Sequence, residues 1–182
     1  MRVIPSGEKL NNVLIEVDFI KGWGIQKVIS GKTKNGEFNF NVKIDTTSFD
    51  DHYLSVFCRQ PANYITAFNR THERFYHYDK ESLKNINFEL YKKAALTISL
   101  NRTEMDDFEV LYVYHSFVDG SSTISIIRPT TPEQDKILQR ETAADMYTKI
   151  TWTKHFKDKP TQFYADSLIC RQNKSNVFNI NY

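Results

Sequence analysis

Apolar and polar positions alternate with a period of two through much of this chain, and that period marks half-buried strands. From Tyr53 to Cys58 the residues Leu54, Val56 and Cys58 alternate with Tyr53, Ser55 and Phe57. Gln60-Pro61-Ala62-Asn63 then reads as a compact turn, because proline fixes φ and asparagine tolerates tight backbone angles. Tyr64-Ile65-Thr66-Ala67-Phe68 follows as a second strand and Phe75-Tyr76-His77-Tyr78 as a third. Together they predict an antiparallel meander with Tyr64 opening its central strand. A strand end beside a turn is a favourable place for a site residue, since rigid backbone meets an open rim.

The same reading extends along the chain. Val13 to Phe19 is an opening strand, and Ile20 to Ser30 continues as strand or short helix, with Gly22 and Gly24 weakening the helix. Asn35-Gly36 is a strong hairpin signal, and Phe38, Phe40, Val42 and Ile44 alternate after it. Lys80 to Asn87 is a polar connection. Tyr91 to Leu100 is mixed: Ala94-Ala95 favours helix and Thr97-Ile98 favours strand. Phe108 to Phe117 is a buried run, Asp119-Gly120 a turn and Thr123 to Ile127 a strand, together a hairpin. Thr131-Pro132-Glu133 reads as a helix start, with threonine as cap and proline at the first position, and that helix is predicted to reach Ile150. Thr151 to Tyr182 is then a basic, irregular tail.

Composition narrows the picture modestly. The chain has 182 residues, 40% of them hydrophobic, which is enough for a substantial core. A net charge of +2 creates no global field that demands a nucleic-acid partner. No apolar run reaches membrane-spanning length, and the first residues lack the apolar core of a signal peptide. Cys58 and Cys170 can pair only if the tail folds back onto the sheet. Three glycosylation acceptor patterns begin at Asn69, Asn101 and Asn173. The five histidines have no metal-ligand spacing, there is no glycine-rich phosphate loop, and no metal or cofactor is expected.

Three blocks carry a family resemblance: FDDHYLSVFCRQPANYITAF (49–68), NRTHERFYHY (69–78) and the run from Tyr91 through NRTEM (91–105). In order and spacing they resemble ribosome-inactivating proteins of the Shiga toxin and ricin A-chain kind, over roughly a third of the chain. The resemblance implies an α+β fold, mainly antiparallel sheet followed by helices. It would be one compact domain over 1–182, sheet-rich at 13–78, helix and hairpin at 81–150, basic tail at 151–182. It implies an rRNA N-glycosidase, or a degenerate relative, that removes adenine from ribosomal RNA. Its partner would be the ribosome or its RNA, and its setting that of a secreted toxin or effector acting in a target-cell cytosol.

In that family two tyrosines sandwich the adenine, and a carboxylate faces the cation that develops on the ribose. Tyr64 and Tyr91 match the tyrosines, and Arg102 would support the pocket from below. The glutamate falls at Glu141, but Ala144 stands where the family's arginine belongs. At 100° per residue Ile137, Ala143, Ala144, Tyr147 and Ile150 form one stripe, with Arg140 inside it and Glu141 at its edge. Arg140 either supplies the missing cation or snorkels to water. Lys149, Lys154, His155, Lys157 and Lys159, interleaved with Trp152 and Phe156, form either a phosphate-binding patch or a solvated face. Two other readings are a lipocalin-like β-barrel around a small apolar ligand and a non-catalytic interaction protein. The barrel reading draws on the number of candidate strands and on Cys58 and Cys170. Against it, Gly22-Trp23-Gly24 follows the first strand instead of preceding it.

Overall fold

The computed structural model describes residues 2–4, 6–21, 24–41, 52–67, 72–75, 86–103, 107–118, 123–128 and 136–182. Among them are thirteen strands and no α-helix. The chain forms two compact units, Met1–Tyr91 and Lys92–Tyr182, each with its own hydrophobic core.

In the first unit a four-stranded sheet has the order β3 (Gly24–Lys32), β2 (Leu14–Lys21), β4 (His52–Arg59), β6 (His72–Phe75), antiparallel throughout. The opening strand and the strand at 52–59 match their sequence patterns, and the open choice after Ile20 resolves to strand. The meander does not form as predicted. β4 is flanked by β2 and β6, and β5 (Tyr64–Thr66) lies outside this sheet. The third strand of the reading occupies 72–75, while Tyr76, His77 and Tyr78 lie outside the described residues. β1 (Arg2–Ile4) runs parallel to the start of β7 (Glu89–Asn101), at Glu89 to Tyr91. Asn35 and Gly36 take φ of 52° and 74°, and Lys34 and Glu37 exchange backbone hydrogen bonds of 2.9 and 3.0 Å, so the Asn-Gly hairpin is present. Beyond it Phe38 and Phe40 stack with ring centroids 5.6 Å apart, outside any strand. Val42 and Ile44 lie outside the described residues, as do Gly22 and Trp23, the connection at 80–85, and the turn at Asp119-Gly120.

The second unit packs one sheet, β10 (Lys136–Ala143), β7 and β13 (Val177–Asn181), against another. The other has the order β12 (Gln162–Ile169), β11 (Tyr147–Phe156), β8 (Phe108–Ser116), β9 (Thr123–Ile127). Leu96, Ile98 and Leu100 of β7, Leu111 and Val113 of β8, Ile150 of β11 and Ile180 of β13 fill the space between them. β10 pairs antiparallel and β13 parallel with β7. The predicted β8–β9 hairpin partners pair antiparallel, from Leu111 against Ile127 to His115 against Thr123.

Two predicted helices are strands, and this overturns the α+β fold and the ribosome-inactivating-protein resemblance together. Tyr91 to Leu100 belongs to β7. There Ala94, Leu96, Ile98 and Leu100 are buried, and strand partners on both sides outweigh the helix preference of Ala94-Ala95. The helix expected to end at Ile150 is two strands joined by a corner, and its proposed start at Thr131-Pro132-Glu133 lies outside the described residues. Asp145 sits at φ 60°, a left-handed conformation that asparagine and aspartate tolerate better than other side-chain-bearing residues. That turn carries the chain from one sheet to the other. Thr142 and Thr148, both fully buried, hydrogen-bond across it at 2.7 Å. The irregular tail is the rest of β11, then β12 and β13.

Candidate functional site

The residues singled out from the sequence do not assemble as the resemblance implied. Tyr64 opens β5, half-buried against the core of the first unit. Tyr91 is only 4% exposed, so its ring is enclosed; its hydroxyl donates to Glu89 at 3.4 Å. Burial foremost, then the charge and hydrogen bond of Glu89, holds that phenol above its ordinary pKa. Arg140 and Glu141 are consecutive on a strand and therefore project to opposite faces, which removes the helical stripe. Arg140 donates to the Gln139 carbonyl at 2.8 Å and to the Ser125 hydroxyl. Glu141 pairs with Lys93 at 2.8 Å. Arg102 lies over the Phe108 ring at 5.4 Å.

The interleaved basic patch is divided by the strand period. Lys149 and His155 lie on the outer face of β11, while Trp152 and Lys154 lie on the inner one, where Lys154 is 2% exposed. Trp152 stacks on Tyr164 with centroids 5.4 Å apart. Lys157 is exposed in the turn after β11, and Lys159 sits over Phe156 at 5.6 Å. Cys58 and Cys170 are free, buried thiols in the cores of different units. Burial raises both, Cys58 to about 11.

A different surface stands out. The β12-β11-β8-β9 sheet turns its inner residues to the core, so its alternate residues form an outer face. The strand register aligns these in rows. One row is Phe163, Thr153, Tyr112 and Ile126, and the next is Ala165, Thr151, Tyr114 and Ile124. Neither row contains a charged residue. Phe163 is 76% exposed, Ile126 51% and Ile124 46%. The Tyr112 and Tyr114 rings stack at 6.4 Å, and the His155 ring meets Tyr112 edge-on at 5.1 Å. Thr161 holds His155 Nδ1 at 3.3 Å. The following row, Ser167, Lys149 and Ser116, supplies a polar rim. Exposed apolar and aromatic side chains grouped on one uncharged face with a polar border are the ordinary anatomy of a docking site. Sequence reasoning took the Tyr112 and Tyr114 run as wholly buried. The available signal was its alternation, Leu111, Val113 and His115 inward against Tyr112 and Tyr114 outward.

Two polar arrangements support this sheet and the corner beside it. His115 is buried and its Nε2 donates to the Glu141 carbonyl at 3.2 Å. Burial lowers its pKa; the Glu141 carbonyl opposes that shift and the Arg140 charge adds to it. Asn176 fastens the turn before β13, accepting from Arg171 N at 2.8 Å and donating to the carbonyls of Ala95, Arg171 and Lys174. Among the described residues no three His, Cys, Asp or Glu gather as a metal site, and no helix is long and apolar enough to cross a membrane.

No family model and no curated protein matches the chain. Among solved structures it is similar to the shaft pilin SpaA from Lactobacillus rhamnosus GG. A single-site mutant of that pilin matches at 11% identity and a TM-score of 0.37, over 99% of this chain and 94% of the pilin chain. Another crystal structure of the same pilin matches at 11% identity and 0.33, over 94% and 85%. Similarity at this level carries no argument about what the chain does.

Proposed function

We propose that this is a non-catalytic interaction protein that docks a protein partner on the outer face of the β12-β11-β8-β9 sheet. The observation that carries the reading is the pair of uncharged rows, four strands wide and eight residues in all, with exposed Phe163 on β12, exposed Ile124 and Ile126 on β9, and the stacked Tyr112 and Tyr114 between them. Interface centres are enriched in aromatic residues and depleted of charge, and this face has both properties. Among the described residues the sheets are open, with edge strands at β12 and β9 and at β3 and β6, which favours a surface over an enclosed barrel cavity.

The test is a photo-crosslinking residue placed at Ile126 or Phe163 in the intact protein in its native host. A defined protein adduct at both positions, absent when the same residue replaces exposed Gln139, supports the proposal. Equal labelling at all three overturns it. So does an adduct with RNA alone, which would identify the aromatic rings as a base-stacking platform instead.

A further inference from the structure

We propose that β12 pairs with the β12 of a second copy of the chain, antiparallel about a two-fold axis at Ala165. This would join two four-stranded sheets into one of eight. The inference stands on the edge of the sheet and does not depend on what the outer face binds.

Among the described residues β12 ends its sheet, with β11 as its neighbour on one side. Seven of its eight residues are exposed, so both of its faces are open as well as its edge. Every second backbone N–H and C=O along an edge strand points away from the sheet and can bond a further strand. Proteins usually protect such edges with lysine, proline or bulges. Among the described residues β3 of the first unit is also an edge and shows this protection: it ends on exposed Lys32, and its ladder with β2 is interrupted between Val17 and Asp18. β12, with the sequence QFYADSLI, contains no lysine, arginine, proline or glycine, and its ladder with β11 runs without a shift.

A two-fold axis requires the strand to complement itself, and the charge pattern selects the register. Asp166 is the only charged residue of β12. Centred on Ala165, the pairing sets Asp166 against the second copy's Tyr164, Phe163 against its Ser167 and Gln162 against its Leu168. Centred on Asp166, it would oppose two carboxylates, which is unfavourable. The Ala165 register also gives every residue from 161 to 169 a partner and keeps outer face beside outer face.

Light scattering after size-exclusion chromatography of the full chain is expected to give a dimer. Ala165→Lys places two ammonium groups at the axis and is expected to give a monomer with the same circular dichroism. Ala165→Cys is expected to form an interchain disulfide under mild oxidant. Ser167→Cys, set against Phe163 instead of itself, is not, and the native thiols are buried. A monomeric wild type overturns the proposal, as does crosslinking through Ser167→Cys as readily as through Ala165→Cys. A dimer that survives Ala165→Lys but is lost in Ile126→Glu also overturns it, by locating the contact on the outer face.

Discussion

On β2 of the first unit the chain is buried on both sides. Ile15 and Val17 face the core, and Glu16 and Asp18 on the opposite face are only 5% and 7% exposed. On β8 of the second unit only one side is enclosed, yet the open side carries Tyr112 and Tyr114. β2 thus hides polar groups and β8 displays aromatic ones. They also differ in how buried polar atoms are satisfied. Glu16 pairs with Arg59, but Asp18 Oδ1, Ser55 Oγ and Thr66 Oγ1 have no hydrogen-bond partner among the described residues, and Asp18 lies opposite Ser55 in register. In the second unit Thr142, Thr148, His115 and Asn176 are all hydrogen-bonded. A satisfied polar group costs stability when removed, whereas an unsatisfied one costs stability while it remains. The same substitution logic should therefore act with opposite sign in the two units.

The largest effect is expected at Asn176→Ala. It strips partners from the Arg171 amide and three carbonyls and should lower unfolding free energy by about 3 kcal/mol in a urea titration. Thr142→Val should cost about 2 kcal/mol by removing the buried hydroxyl that Thr148 meets at 2.7 Å. Ser55→Ala should move the other way, stabilising the first unit by about 1 kcal/mol. If Ser55→Ala instead destabilises as Thr142→Val does, the contrast between the units fails.

Acid should act on the second unit through His115. Its folded pKa lies below the ordinary 6.5, so the folded state excludes a proton that the unfolded state accepts. The stabilisation is present above about pH 6.5 and is lost as pH falls below it. Melting curves of His115→Gln should show a smaller change between pH 7.5 and pH 5.5, all within roughly that window. Ile126→Glu should change stability least, within about 0.5 kcal/mol, while reducing binding of an apolar dye to the folded protein.

What the sequence disclosed follows from where one period dominates. Leu54-Val56-Cys58, the Asn35-Gly36 turn and the Thr123 to Ile127 strand are legible because alternation and turn chemistry agree. At 136–150 they conflict. Lys136 to Ala143 alternates in burial, but Ile137, Ala143, Ala144, Tyr147 and Ile150 also fall on one helical stripe. Ala143 and Ala144 owe their burial to a corner between sheets, which no local propensity records. The blocks that resembled a toxin family owe part of their likeness to alternating strands, a pattern that many sheets share. The outer face was hidden for a different reason. Phe163, Thr153, Tyr112 and Ile126 are separated in sequence and become neighbours only through strand register.

The parallel pairing of β13 with β7 has a consequence during synthesis. Asn101 and Asn181, 80 residues apart, are joined by their side chains at 3.1 Å, and Thr97 to Asn101 take their partners from Val177 to Asn181. A ribosome making this chain releases β7 long before β13. Until then one flank of the central strand is bare, and Ile180 and Tyr182 are missing from the core. The second unit therefore cannot close until β13 has been made, and a chaperone that shields strand edges would find its substrate during that interval.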